Sequence, residues 1–101
     1  MKPKICVVGS ANIDQVSYVK RAPNDGETLF GEDYQMGFGG KGANQAVMAG
    51  LLGAEVYVIA CLGSDVYRDM TIENFKSNNV ITDYIQTVEG SSGVAPIWVD
   101  E

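Results

Sequence analysis

The chain is 101 residues long, with 46% hydrophobic and 20% charged residues, which is enough for one packed core and too little for two ordinary domains. Its 7 basic and 13 acidic side chains leave a formal net charge of -6, and a surface of that sign repels phosphate backbones and anionic lipids. The composition therefore argues against nucleic acids and membrane surfaces as partners.

The predicted elements begin with a short β-branched run, K-I-C-V-V-G at residues 4–9, which is apolar on both faces and ends in glycine. Such a run is typical of a strand in the middle of a parallel sheet, so we expect a central strand here. A second, shorter strand is predicted at residues 16–19. Turn residues then reverse the chain at 22–26, and broken alternation over residues 28–38 predicts one kinked, half-exposed strand or two joined pieces.

The middle of the chain alternates between helix and strand patterns. Residues 43–52 follow a glycine cluster and stop at Gly53, which fits a helix with a glycine C-terminal cap. Residues 55–62 form another apolar run and are predicted to be a buried strand. Residues 65–78 have the apolar spacing of a second helix, with Asp65 near its N-cap.

The last third carries two further strand candidates, at residues 81–87 and 94–99, and Pro96 restricts the second to an edge or a bulge. Strands that alternate with helices predict an α/β fold: a Rossmann-like, mainly parallel sheet with flanking helices. No helix follows the last strand to cover the sheet. We therefore expect residues 1–101 to be a truncated piece of a larger domain.

Cysteine usage and hydropathy bear on the compartment. Cys6 and Cys61 each lie inside an apolar run, so we expect two buried thiols and no disulfide, as in a reducing compartment. The apolar stretch after Lys4 is shorter than a signal-peptide core. The longest apolar region, residues 46–63, is broken by Glu55 and by glycines, so it cannot span a membrane. The prediction is a soluble, cytoplasmic protein.

A glycine cluster, G-F-G-G-K-G at residues 37–42, lies between a predicted strand and a predicted helix. It matches the G-x-G-x-x-G pattern of dinucleotide sites, but that pattern follows the first strand and is answered by an acidic residue after the next one. Here the next strand ends in A-C-L at 60–62. An NAD-dependent oxidoreductase fragment stays open as an alternative. A phosphate-binding P-loop is rejected, because Gly42 and not Ser or Thr follows Lys41.

Hydroxyl-rich ligands suit the glycine cluster better. Its small residues expose backbone N–H groups at a helix start, with Lys41 and Asn44 beside them. Asn12 and Asp14 follow the first strand at its carboxyl end, where open α/β sheets bind ligands, and amide and carboxylate groups pair well with sugar hydroxyls. Each residue also has a purely structural alternative: a turn for Asn12 and Asp14, a first-turn hydrogen bond for Asn44, a solvated charge for Lys41.

Longer segments of the chain resemble one known family. They are V-V-G-S-A-N-I-D at 7–14, G-E-T-L at 26–29 and G-G-K-G-A-N-Q-A at 39–46, followed by Gly53, Gly63 and Asp65. Together they resemble the N-terminal third of the ribokinase-like (phosphofructokinase B type) carbohydrate kinases, and the resemblance covers almost the whole chain. Two local departures are V-Y-R at 66–68, where the family usually has a glycine, and Pro96.

The resemblance implies a sugar site. Its substrate-binding residues would be Asn12, Asp14, Gly39, Gly40, Lys41, Gly42 and Asn44, with Asp14 accepting hydrogen bonds from two hydroxyls of a pentose. Ala95 and Ile97 would lie near the sugar from a small β-lid, whose strands fall within about 16–38 and 81–99. Members of the family often form homodimers through this lid.

The resemblance also implies a reaction, the transfer of the γ-phosphoryl group of ATP to the 5-hydroxyl of D-ribose. ATP and Mg²⁺ would be the cofactors, with a monovalent cation such as K⁺ as a further candidate. The Gly-Lys-Gly of residues 40–42 favours ribose over the substrates of fructokinases and nucleoside kinases, which stay open as alternatives together with a non-catalytic sugar-binding module. The family's G-A-G-D motif, with its catalytic base and anion hole, is expected beyond Glu101 with the ATP-binding region, so this fragment alone should be inactive.

Overall fold

The computed structural model describes residues 2–101, which form seven strands and two helices. In chain order the elements are β1 (Lys4–Val8), β2 (Asn12–Tyr18), β3 (Asp33–Gly39), α1 (Lys41–Leu51), β4 (Glu55–Gly63), α2 (Val66–Ser77), β5 (Val80–Ile81), β6 (Ile85–Val88) and β7 (Gly93–Val99).

The larger sheet is parallel and is built around β4. β1 pairs with one edge of β4 and β5 with the other, near the start of β4. β6 pairs with β4 further along, near its end. Within residues 2–101 the central place predicted for β1 belongs to β4: β1 has one partner strand there, and only Val7 is not exposed. β4 is central because it has neighbours on both edges, while Val56 and Val58, at 0% and 1% exposure, fill the core.

The strand predicted at 81–87 is divided in the structure. β5 ends at Ile81, and a turn follows in which the Ile85 N–H donates to the Thr82 carbonyl at 3.1 Å before β6 begins. Both short strands run parallel to β4. Residues 80–88 therefore belong to the larger sheet, and the expectation that they contribute to the lid is wrong.

Both predicted helices are present. The Asp65 carboxylate accepts a hydrogen bond from the Arg68 N–H at 3.1 Å, which confirms the predicted N-cap of α2. α1 starts two positions before the predicted residue 43, and Gly53, with φ 95°, follows its end as predicted. Ala46 of α1 and Phe75 of α2, at 0% and 1% exposure, pack in the same core as β4.

A second, smaller sheet has the strand order β3-β2-β7 and is called the small sheet below. β2 is antiparallel to β3 and parallel to β7. It begins at Asn12 and so is longer than the strand predicted at 16–19, while residues 28–32 are not strand. β7 pairs with β2 alone among the described residues, so Pro96 lies on an edge strand as predicted.

The connection between β2 and β3 is closed by an ion pair. Arg21 donates to both carboxylate oxygens of Glu27 at 2.6 and 2.8 Å, and the Asn24 N–H donates to the same carboxylate at 3.0 Å. The Arg21 guanidinium and the Asn24 N–H lower the pKa of Glu27 to about 2. Glu27 of the G-E-T-L segment therefore stabilises the turn at Asp25 and Gly26.

The two cysteines lie on the surface of the described residues. Cys6 and Cys61 are free thiols, and both are exposed, so the expectation of buried thiols is wrong. The two cysteines are on strands whose outer face carries no helix among residues 2–101.

Neither α1 nor α2 has the length and apolar content of a membrane-crossing helix.

Candidate functional site

Asn12 and Asp14 share one face of the small sheet. They follow β1 in sequence, as predicted, but they are part of β2, where alternate side chains point to the same side. The strand register flanks each of them with small residues, Gly39 and Gly93 beside Asn12 and Gly37 and Ala95 beside Asp14. The result is a half-buried pair of polar side chains flanked by small residues.

The glycines beside this pair leave no room for a side chain. A Cβ on Gly39 would lie 2.5 and 2.6 Å from the two carboxylate oxygens of Asp14, so the carboxylate lies directly over the Gly39 backbone. A Cβ on Gly93 would lie 2.6 Å from the amide oxygen of Asn12 in the same way. Glycine at these two positions lets both polar groups lie flat against the sheet, with their remaining lone pairs free for a ligand.

The start of α1 is pressed against the connection between β1 and β2. A Cβ on Gly42 would lie 2.8 Å from the Cα of Gly9, and the Ala43 N–H donates to the Ser10 carbonyl at 3.1 Å. Gly40 makes the bend with φ 100°, a conformation that favours glycine. The predicted residues Gly39, Gly40 and Gly42 therefore lie in the same corner of the molecule as Asn12 and Asp14.

Lys41 and Asn44 are placed on α1. Lys41 is the first helical residue and is exposed, and no side chain caps the N-terminus of α1 or places an acidic group in its first turn. That end of the helix is accordingly suited to a ligand that accepts hydrogen bonds from backbone N–H groups. Asn44 lies one turn further on and is exposed.

A hollow of about 430 Å³ lies between α1, α2 and the end of β3. Asn44 lines it together with Phe38, Met48 and the α2 residues Asn74 and Asn78, whereas Asp14 does not. Phe38 lies on the opposite face of β3 from Gly37 and Gly39, because side chains alternate along a strand. The structure thus brings five of the predicted residues into one corner and places the Asn44 side chain at the side of that corner.

Ala95 and Ile97 lie on the same face of the small sheet as Asp14. Ala95 is level with Asp14 and Ile97 is level with Val16, one pair further from α1. Ala95 is half-buried and Ile97 is 38% exposed. These two residues add an apolar rim to the polar pair. Gly93, which sequence reasoning missed, could have been found only from the pairing of β2 with β7.

A second hollow, of about 420 Å³, lies at the carboxyl ends of β1 and β4. Val8, Gly9, Ser10 and Cys61 line it with neighbouring residues of β4 and β6. This is the edge at which open α/β sheets bind ligands. The hollow adjoins the Gly9–Ser10 connection that leads to Asn12, so it lies on the β1 side of the same corner.

The dinucleotide alternative meets a geometric obstacle. Gly37 and Gly39 are inside β3, and β3 belongs to the small sheet while β4, which follows α1, belongs to the larger one. A dinucleotide fingerprint needs a strand, a helix and a parallel strand in a single sheet, with the glycines in the first turn. The β3–α1–β4 segment does not form that unit.

Comparison with known proteins places this arrangement in a family. Residues 2–101 match the model of the pfkB family of carbohydrate kinases. A ribokinase of Lactococcus lactis is 45% identical over 95 residues, which cover 93% of this chain and 32% of that protein. A deoxyribokinase of Salmonella typhi is 43% identical over 97 residues, which cover 95% of this chain and 32% of that protein.

Solved structures give the same result. The structure of Arabidopsis thaliana ribokinase complexed with ribose and ATP is 34% identical, with a TM-score of 0.91 over 99% of this chain and 33% of that one. This confirms the predicted α/β fold. The chain spans about a third of the length of the curated relatives described above. Because the family model matches all of the described residues, the chain belongs to the pfkB family of carbohydrate kinases.

Proposed function

We propose that this chain is the sugar-binding part of a carbohydrate kinase that transfers the γ-phosphoryl group of ATP to the 5-hydroxyl of D-ribose. The observation that carries the proposal is the pair of Asn12 and Asp14, each lying over a glycine backbone beside the uncapped start of α1. A carboxylate, an amide and exposed backbone N–H groups together offer both acceptors and donors to a polyol.

The proposal gives each predicted site residue a role in sugar binding. Asp14 accepts hydrogen bonds from two neighbouring hydroxyls of the sugar, and Asn12 donates to or accepts from a third. The backbone of Gly39, Gly40 and Gly42 fixes the orientation of the ring, and Lys41 and Asn44 close the polar side. Ala95 and Ile97 contact the apolar C–H groups from the small sheet, as their shared face with Asp14 allows.

The chemistry of phosphoryl transfer is assigned outside this segment. Phosphoryl transfer depends mainly on positioning and on stabilising charge, and this chain supplies the position of the acceptor hydroxyl. Residues 2–101 contain no group of three or more Cys, Asp or Glu side chains that could hold a metal ion. In this proposal the remainder of the intact enzyme binds most of ATP and Mg²⁺ and supplies the catalytic base and the anion hole.

Two sugars deserve to be compared, because the relatives include both a ribokinase at 45% identity and a deoxyribokinase at 43%. Ribose and deoxyribose differ by one hydroxyl. A site that hydrogen-bonds this hydroxyl discriminates strongly against the sugar that lacks it, since a buried polar group would lose its partner. Asp14 is the side chain we expect to make that distinction in favour of ribose.

The test is Asp14→Asn in the protein that carries this chain, with Asp83→Asn, an exposed turn residue outside the site, as the matched control. Loss of a charged acceptor should raise the KM for ribose by about tenfold or more, since hydrogen bonds to charged groups contribute about 1.5–3 kcal/mol. The control should change KM by less than about twofold. Isothermal titration of the 101-residue chain with ribose, deoxyribose and NADH separates the alternatives.

Two outcomes would contradict the proposal. Ribose kinetics unchanged by Asp14→Asn would remove Asp14 from the sugar site. Binding of NADH together with no binding of either sugar would favour the oxidoreductase alternative in spite of its geometric obstacle.

We further propose that the intact enzyme forms a homodimer through the small sheet and works in the cytoplasm. The exposed apolar side chains of β3 and β7 support the first part, and two exposed free thiols suit a reducing compartment.

A further inference from the structure

The first turn of α2 contacts the small sheet at two separate points. The Gln15 amide of β2 donates a hydrogen bond from Nε2 to the Tyr67 hydroxyl at 3.1 Å. Asp65 accepts two hydrogen bonds from Ser92, from its N–H at 2.7 Å and from its Oγ at 2.8 Å. One turn of helix in the main body is thus bonded to β2 and to the residue that precedes β7.

The contact at Ser92 is a closed and well-packed arrangement. The Ser92 Oγ accepts a hydrogen bond from the Gly63 N–H at 3.0 Å, and Ser92 is only 7% exposed. Gly63 has backbone atoms of residues 90–92 so close that no side chain could be placed there. The Ser92 N–H, as the largest cause, holds the pKa of Asp65 below its usual range, which agrees with a carboxylate that stays ionised to accept these bonds.

Both contacts reach the small sheet within one residue of the proposed sugar contacts. Gln15 directly follows Asp14 in β2. Ser92 directly precedes Gly93, which lies beside the Asn12 amide. Gln15 projects from the face opposite to Asp14, so the bond to Tyr67 supports the strand from behind its sugar-binding side.

We propose that Asp65 and Tyr67 are positioning residues that fix the small sheet on the first turn of α2 and so set the place of Asn12 and Asp14. This inference rests on the proposed function for its effect on sugar binding. Tyr67 lies in the V-Y-R segment at 66–68, which departs from the family pattern. The Tyr67–Gln15 bond is therefore not implied by the resemblance to the family. Without these bonds the small sheet is still joined to the main body by the chain connections at residues 9–11, 40 and 89–92 and by the hydrogen bond from the Ser64 N–H to the Gly90 carbonyl, so we expect it to shift and not to detach.

Tyr67→Phe tests the contact with the smallest change. It removes only the hydroxyl that accepts from Gln15. Tyr18→Phe is the matched control, because the Tyr18 hydroxyl also bonds to a glutamine, Gln35 at 3.0 Å, but does so within the small sheet. We expect Tyr67→Phe to weaken ribose binding about fivefold, the effect of one neutral hydrogen bond, and Tyr18→Phe to leave it within about twofold.

Asp65→Asn tests the second contact. Asparagine is as good an N-cap as aspartate, so α2 keeps its start. Its amide has a single oxygen, however, so the carboxylate oxygen that accepts from the Ser92 N–H is replaced by an NH2 group that cannot accept. We expect at least the same loss in ribose affinity for this variant, together with a lower urea midpoint, because the buried Ser92 N–H loses its acceptor. Asp65→Ala, which also loses the N-cap, should lower both the affinity and the midpoint.

A second measurement does not depend on the sugar. Residual dipolar couplings of amides in β2 and β7, compared with those in β4, report the orientation of the small sheet on the main body. We expect them to change in Tyr67→Phe and Asp65→Asn and not in Tyr18→Phe. Unchanged couplings, or a ribose affinity equal to that of the control, would overturn the positioning role. A wild-type chain that binds no ribose contradicts the proposed function instead, and the couplings then decide this inference alone.

Discussion

Gly39 and Gly42 are both too crowded for a side chain, but the atoms that crowd them differ. At Gly39 the neighbour is the end of the Asp14 side chain, which can rotate away. At Gly42 it is the backbone of Gly9, at 2.8 Å from the position of a Cβ, and backbone in a packed corner cannot shift cheaply. One glycine therefore protects a functional group, and the other protects the fold.

We expect Gly39→Ala to lower ribose affinity by about tenfold, because the new methyl group displaces the Asp14 carboxylate from its place, while the free energy of unfolding changes by less than about 1 kcal/mol. Gly42→Ala should instead cost about 1–3 kcal/mol of stability through overpacking. Gly37→Ala, with no atom within 4 Å of its Cβ, is the control for stability in the same strand. Urea unfolding and ribose titration of the three variants measure these effects. A ribose affinity of Gly39→Ala equal to that of the wild type would contradict the role given to Gly39.

The residues of the site differ in how far the sequence could predict them. Asn12, Asp14 and the G-G-K-G segment are visible in the sequence because their residue types state the chemistry. Gly93 is not, because its closeness to Asn12 depends on a pairing between strands far apart in the chain. The exposure of Cys6 was missed for a similar reason, since an apolar run looks the same on an edge strand as on a central one.

Hydrophobic periodicity predicts helices and strands whose limits are set by their own residues. It does not predict strand limits that depend on pairing with other strands. β4 and α2 follow directly from an apolar run and from helical spacing with Asp65 as cap. The break between β5 and β6 was missed because T-D-Y at 82–84 contains neither glycine nor proline. The early start of β2 was missed because it depends on the partners β3 and β7, which have glycine beside Asn12.

The packing of α2 on the core gives a test at this scale. Phe75 is 1% exposed and is the largest fully buried side chain, whereas Phe30 in the connection before β3 is 92% exposed. Phe75→Ala should lower the free energy of unfolding by about 3–5 kcal/mol, through lost burial and the cavity left behind. Phe30→Ala makes the same chemical change in solvent and should stay within about 0.5 kcal/mol. A similar unfolding midpoint for the two variants would show that α2 does not pack on β4 as described.

Residues 2–101 are extended for a segment of this length. Its radius of gyration is 16.0 Å, with principal extents of 54 × 31 × 18 Å, while a compact domain of about 100 residues has a radius of about 13 Å. Two sheets that are joined at one corner, and share no common core, account for this shape. Within residues 2–101 this arrangement leaves much of the small sheet uncovered.

The two faces of the small sheet carry different side chains, and the difference bears on dimer formation. Asn12 and Asp14 occupy one face of the small sheet, and that face has to stay open to the sugar. The opposite face carries Tyr34, Met36 and Trp98, which are 55%, 42% and 55% exposed. Large apolar side chains grouped on one face are typical of an interaction surface, and a second copy of the chain could cover them without blocking the site.

We therefore expect Met36→Lys to shift the proposed homodimer to monomer, because a charge on this face would lose its hydration on association. Met48→Lys is the control, since Met48 is 56% exposed on α1 and lies across a hollow from Phe38, not on the small sheet itself. Sedimentation velocity over a range of concentrations measures the effect, and the fluorescence of Trp98, the single tryptophan of the chain, reports burial of the same face. A dimer that persists in Met36→Lys and dissociates in Met48→Lys would move the contact to α1, whereas a wild-type protein that stays monomeric at all concentrations would contradict the homodimer itself. Because both variants add the same charge, a difference between them reflects the place of the contact and not the net charge of the molecule.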